Sequence, residues 1–333
     1  MEFGFGHHLT EDYRGHIGLA QLGEQLGFDF FWLPDQTFFP DPYIMLGLVG
    51  QATQRIQIGL AVTNPHTRHP ATSARSIGTL ALTAPNRVHI AIGAGNNKEM
   101  LTPLGLDGSH AGTKIREMVE ISHGLLSGEK IDYHGKYFKV AGVRLDVPPP
   151  GNVPIYIAGR GSYVLQTAGE VADGVIIGAI CNQKGITHAI DQVKIGAARS
   201  NRDISQLRIV SWLTVILTKD RASALQQVRR SVAHIIGGAP NEILQSVGMD
   251  DGLARKIKDV YWTEGIPQAA KHVTDECVDT FAMVGDAQMI IERIKTLRDA
   301  GVNQLSINLG DDRVDNFRAQ ITKFAESIFP AFA

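Results

Sequence analysis

Residues 153–179 read VPIYIAGRGSYVLQTAGEVADGVIIGA. A short apolar strand (154–158) runs into a glycine-rich turn (159–162), a helix-period stretch (163–172) and a second apolar strand (174–178). Strands that are apolar throughout and separated by a helix indicate a parallel pair covered by helices, because parallel strands need a crossover connection. The unit repeats outward in both directions. Further strands are expected at 3–8 (FGFGHH), 28–33 (FDFFWL), 56–62 (IQIGLAV), 88–93 (VHIAIG), 208–216 (RIVSWLTVI) and 303–308 (NQLSIN). Helices are expected at 14–26, 43–53, 70–83, 112–126, 185–199, 220–236 and 286–299. Eight such units favour an α/β fold of the closed (β/α)8 TIM barrel type. An open doubly wound sheet is the alternative.

Two stretches break the alternation. Residues 127–153 carry a YHGKYF turn between β-formers and then a proline run, which predicts a small hairpin before the fifth strand. Residues 237–285 form a mostly helical insertion after the seventh strand, placed to cover the mouth of the barrel. Residues 1–333 are expected to make one barrel domain that includes both insertions, a length such barrels reach.

Composition narrows the function. Of 333 residues, 44% are hydrophobic and 20% charged, and the formal net charge is −2. That balance suggests neither nucleic acid nor a membrane surface as partner, and leaves a small-molecule substrate. Cys181 and Cys277 form no CxxC pair, so no metal site is expected. The opening MEFGFGHHLTEDY lacks the basic and apolar regions of a signal peptide, and VSWLTVILT at 210–218 is too short to span a bilayer. The expected location is cytoplasmic.

Chemistry in such a barrel sits just beyond the C-terminal ends of the strands. At 159–162, Gly159 and Gly161 permit close approach to an anion, Arg160 adds a cation, and Ser162 a hydroxyl at a helix start. An ordinary strand-to-helix turn is the other reading. GAGNNKE at 93–99 lacks the third glycine of a dinucleotide fingerprint and opens the fourth unit rather than the first. Asn96 and Asn97 there can hydrogen-bond a polar ring edge, and Lys98 can meet an acidic group. Asp35 and Gln36 follow the second strand among Trp32, Phe38, Phe39 and Tyr43, a water-poor wall for an acid; a turn beside Pro34 is the alternative. His7 and His8 face opposite sides of one strand, so at most one faces the interior as a proton donor. No HExxH or GxSxG motif occurs.

Longer segments carry a family resemblance. GLAVTNPHTRHPATSA (59–74), YHGKYFKVAGVRLDVPPPGNVPIYIAGRG (133–161), LQTAGEVADGVIIGA (165–179) and the closing GDAQMIIERIKTLRDAGVNQL (285–305) resemble the bacterial luciferase-like superfamily over nearly the whole chain. VTNPHTRHPA and CVDTFAMVG are most similar to its branch of methylenetetrahydromethanopterin reductase and other enzymes using the deazaflavin coenzyme F-420. The resemblance implies a cofactor in the C-terminal mouth and a third-strand bulge backing its ring, with a non-prolyl cis bond that falls at Ala61–Val62. It implies that Gly159, Arg160, Gly161 and Ser162, with Gly178, Ala179 and Ile180, hold the cofactor phosphate. Thr63 and Asn64 then offer hydrogen bonds to the ring edge, while Arg68 and His69 reach phosphate, an acidic tail or substrate.

Two positions depart from the family pattern. Gln36 stands where many relatives have histidine, and Asn96 where the sugar-phosphate dehydrogenases have glutamate. Hydride transfer that reduces a C=N or C=C bond therefore fits better than alcohol oxidation, with Asp35 and His8 as catalytic candidates. An FMNH2-dependent monooxygenase fed by a separate flavin reductase is the alternative, and a non-catalytic flavin-binding protein the second alternative. Homodimerisation, or another homo-oligomer, is an expectation of the resemblance.

Overall fold

The computed structural model describes residues 1–310 and 313–333. Eight strands pair in parallel and close on themselves: β1 (Glu2–Gly6), β2 (Phe30–Leu33), β3 (Gln57–Thr63), β4 (Val88–Ile92), β7 (Ile155–Gly159), β8 (Gly174–Gly178), β9 (Arg208–Leu217) and β11 (Gln304–Asn308). β11 returns to β1, with Phe5 opposite Ile307. These are the eight strands expected from the sequence, each within a few residues of its expected bounds. Helices α1 (Tyr13–Leu26), α2 (Pro42–Ala52), α3 (Pro70–Thr83), α4 (Ala111–Leu126), α5 (Ser162–Val171), α6 (Gln183–Arg199), α7 (Arg221–Gly238) and α12 (Ala287–Asp299) connect successive strands. α13 (Val314–Ile328), outside the expected set, follows the last strand. Asp or Asn side chains cap the starts of α1, α2, α6, α7 and α12, and satisfy N–H groups that have no partner within the helix.

Side chains alternate along each strand, and this builds two cores. Phe3, Phe5 and Phe31 point outward against the helices. Phe30, Trp32, Ala61, Ala91, Tyr156, Ile176 and Val210 fill the barrel interior. Phe30 and Trp32 stack with centroids 5.4 Å apart. Their bulk needs small neighbours: a Cβ on Gly59 would lie 2.4 Å from the Trp32 ring.

The expected hairpin forms from β5 (Ile131–His134) and β6 (Lys139–Val143). Buried Glu117 of α4 pins it by accepting hydrogen bonds from the backbone N–H groups of Lys136 (2.7 Å), Tyr137 (2.9 Å) and Phe138 (2.8 Å). The insertion contains α8 (Asn241–Ser246), α9 (Asp251–Thr263), α10 (Ile266–Ala269) and α11 (Asp275–Phe281), and ends in a short strand, β10 (Ala282–Gly285). That strand pairs with the far half of β9, Ala282 opposite Thr214, beyond the point where β8 stops at Trp212. Read locally, the four apolar residues AMVG continue a buried helix, and only the unpaired edge of β9 makes them a strand.

Candidate active site

A cavity of about 700 Å³ opens at the C-terminal ends of the strands. Asp35 and Gln36, just past β2, line one side of it. The Thr63 hydroxyl donates to Asp35 Oδ2 at 2.7 Å, and the Tyr43 hydroxyl lies 3.4 Å from Thr63 Oγ1. Burial pushes the Asp35 carboxyl above its ordinary value; the Thr63 hydrogen bond and the Arg68 charge oppose that rise, and Asp41 adds to it. His8 lies on the inner face that Gly4 and Gly6 share, and its Nδ1 is 3.0 Å from Gln36 Oε1. His7 points the other way, its ring 4.5 Å from that of Phe317. Of the aromatic wall expected around Asp35, Phe38 and Phe39 line the cavity, while Trp32 and Tyr43 are buried beneath.

The end of β3 carries the expected irregularity. Its register against β4 shifts between Ala61 and Thr63, and the Ala61–Val62 peptide bond is cis. Both residues line the cavity. Val62 fits because Gly93 has no side chain; a Cβ there would meet Val62 Cγ2 at 2.9 Å. Thr63 and Asn64 are buried, and Asn64 Oδ1 accepts from the N–H groups of His66 (2.9 Å) and Thr67 (3.1 Å). Arg68 turns outward, pairing with Asp41 at 2.8 Å with its guanidinium over the Tyr43 ring, and His69 caps α3 through Ala71 N–H. Neither lines the cavity. Asn96 does, but its side chain caps the π-helical turn Asn97–Leu101 and bonds both ends of Glu99.

The opposite end of the cavity is glycine-rich and basic. Gly159, Arg160 and Gly178 line it. Arg160 Nη1 is buried without a hydrogen-bond partner among the described residues, and burial alone draws its pKa below the ordinary value. A Cβ on Gly161 or Gly178 would meet no protein atom within 4 Å. The start of α5 at Ser162 has no side-chain cap, which leaves its first N–H groups beside Arg160 open to an anionic group. Ser162 itself donates to Glu242. The Ala179 N–H bonds the Trp212 carbonyl at 2.7 Å, and the Ile180 side chain is in the outer core. A cofactor phosphate fits the arginine and the open glycines.

Several lining residues were not anticipated. Trp212 forms part of the floor, and alternation along β9 from Val210 was a usable signal for it. His234 of α7 and Tyr261 and Trp262 of α9 close the far wall. The Tyr261 hydroxyl is 3.2 Å from His234 Nδ1, and Lys98 Nζ lies 5.0 Å from both the Tyr261 and Trp262 ring centroids. The insertion thus covers one side of the mouth, as expected, and Lys98 ties the loop after β4 to it. Among the described residues no group of His, Cys, Asp and Glu could hold a metal ion, and no helix is long and apolar enough to cross a membrane.

Known proteins resemble this chain in sequence and in fold. The chain is 33% identical over 290 residues to the 5,10-methylenetetrahydromethanopterin reductase of Archaeoglobus fulgidus, covering 86% of each chain. It is 26% identical to the F-420-dependent glucose-6-phosphate dehydrogenase of Beutenbergia cavernae, covering 95% of this chain and 93% of that one. The structure of the coenzyme F-420-dependent tetrahydromethanopterin reductase of Methanopyrus kandleri superposes with a TM-score of 0.86 at 25% identity, over 100% of both chains. The family model of luciferase-like monooxygenases matches residues 1–304. By barrel topology and by sequence, the chain belongs to the luciferase-like monooxygenase family.

Proposed function

We propose that this protein is an oxidoreductase that transfers a hydride between coenzyme F-420 and a small organic substrate, with reduction of a C=N or C=C bond favoured. The observation that carries the proposal is the cavity itself, which runs from a burial-raised carboxyl, Asp35, to Arg160, whose buried Nη1 has no hydrogen-bond partner among the described residues. Its similarity to F-420-dependent relatives supports the choice of cofactor. When bound, F-420 reacts at a ring carbon, which passes hydride rather than activating oxygen.

The chain's own residues supply the rest. Ala61 and Val62 back one face of the ring site and leave the other face to substrate. Arg160, Gly159, Gly161 and Gly178 hold the phosphate, with the free N–H groups of α5. Asp35, held by Thr63, moves or holds a proton beside the reacting atoms, and His8 fixes Gln36 next to it. Phe38, Phe39 and Trp262 restrict water at the mouth.

Measuring binding of F-420 and of FMN tests the reading. F-420 is expected to bind at least about tenfold more tightly, roughly 1.4 kcal/mol, with turnover that consumes no oxygen. Tighter FMN binding with oxygen uptake would replace this reading by the FMNH2-dependent monooxygenase.

A further inference from the structure

The open start of α5 has a carboxylate beside it. Ser162, the first residue of α5, donates its hydroxyl hydrogen to Glu242, which stands 80 residues further along the chain in α8. A single serine side chain therefore separates that carboxylate from the free N–H groups of α5. An acid in the first turn of α8 suits that helix's own start. It does not account for the reach across to Ser162.

The segment that carries Glu242 is held on both sides. Lys258 Nζ donates to the Ala239 carbonyl at 2.9 Å and to Asn241 Oδ1 at 2.7 Å. Beyond the helix, Asn182 Nδ2 donates to the Val247 carbonyl at 2.8 Å, and Ile243 and Leu244 are buried between these ties. The Glu242 side chain is exposed, and among the described residues no cation pairs with it. It does not neutralise Arg160 either, since burial alone draws the pKa of that arginine down. The site thus holds a fixed negative charge as well as a positive one.

Counting charge shows the consequence. A helix start acts as about +0.5, so with Arg160 the site sums to about +1.5, and Glu242 lowers this to about +0.5. A phosphodiester brings about one negative charge, whereas a phosphomonoester brings about 1.5 to 2 at pH 7. We infer that Glu242 sets the phosphate class of the cofactor, admitting a singly charged phosphodiester and disfavouring a phosphomonoester. The inference rests on the phosphate site of the cofactor reading above. F-420 carries its phosphate as a diester and FMN as a monoester, so Glu242 separates the two cofactors at the opposite end of the cavity from Asp35. An added unit charge about 4 Å from a carboxylate in water weakens binding about fivefold, and more where protein excludes solvent.

The test uses two ligands with one ring and one chain: the deazaflavin ribityl 5′-phosphate and its methyl diester. In the wild type the diester is expected to bind about fivefold more tightly. Glu242→Gln tightens the monoester about fivefold and leaves the diester nearly unchanged, which closes the gap. Glu242→Asp keeps the charge and retains part of the preference. The wild type supplies a second measurement should the glutamine variant fail to fold. At about 1 M salt, where the Debye length is roughly 3 Å, exposed Glu242 is screened more than buried Arg160, and the monoester gains on the diester. A gap that is absent in the wild type, or unchanged in Glu242→Gln, would overturn the role of Glu242 and leave the phosphate site standing. A phosphate-free ribityl deazaflavin that binds as tightly as both esters would overturn the site as well.

Discussion

Thr63 holds Asp35: its hydroxyl donates a 2.7 Å hydrogen bond to Oδ2 from the end of the neighbouring strand. That bond opposes the upward push of burial on the carboxyl. Thr63→Val removes it, so Asp35 should titrate at higher pH than in the wild type. The limb of the kcat/KM profile that reports Asp35 should move in that direction. An unmoved profile would mean that Asp35 does not act in turnover.

Asp35→Asn should lower kcat by about 10²–10⁴, the range of an acid–base group, and leave the cofactor dissociation constant nearly unchanged. It also carries a stability signature. Because the folded-state value is raised, the contribution of Asp35 is fully present below its unfolded value of about 3.9 and is lost as pH rises through the folded value. The variant should therefore lose less Tm than the wild type between pH 4 and pH 7. Parallel Tm curves would contradict the buried, raised carboxyl.

Gly161→Val should fold normally, since a Cβ there meets no protein atom within 4 Å. It should weaken the intact cofactor and spare a ring fragment that lacks the phosphate. Equal losses for both ligands would place the phosphate elsewhere.

Gly6→Ala tests the cavity floor. Its Cβ would lie 2.4 Å from the Trp212 ring, so either the indole or the strand must shift. Overpacking of this kind costs about 1–3 kcal/mol, and the displaced ring should alter tryptophan fluorescence. An unchanged Tm and spectrum would show that the indole moves freely.

Glu117→Gln leaves the hairpin turn with a neutral acceptor in place of a carboxylate that receives three backbone N–H groups. Loss of these charge-assisted bonds should cost about 1–3 kcal/mol. Hydrogen exchange at Lys136, Tyr137 and Phe138 should accelerate before exchange in the barrel strands does. Uniform acceleration would mean that the hairpin unfolds only with the whole barrel.

The sequence alone determined the eight barrel strands, because each is a short apolar run bounded by turn residues and followed by a helical period. The irregular end of β3 was expected from the family resemblance, and the glycines at 159, 161 and 178 were legible because open backbone is encoded by the residue type itself. Partners distant in the chain were left to the tertiary structure. Arg68 reads as a ligand-facing cation until Asp41, 27 residues away in the chain, appears at 2.8 Å. Tyr261 and Trp262 reach the cavity only because the insertion folds back over the mouth, and β10 is a strand only because β9 outruns β8. Strand, turn and helix signals are local and survive in the order of residues. Which polar group meets which, and hence which charges remain for a ligand, is settled by packing between segments tens to hundreds of residues apart.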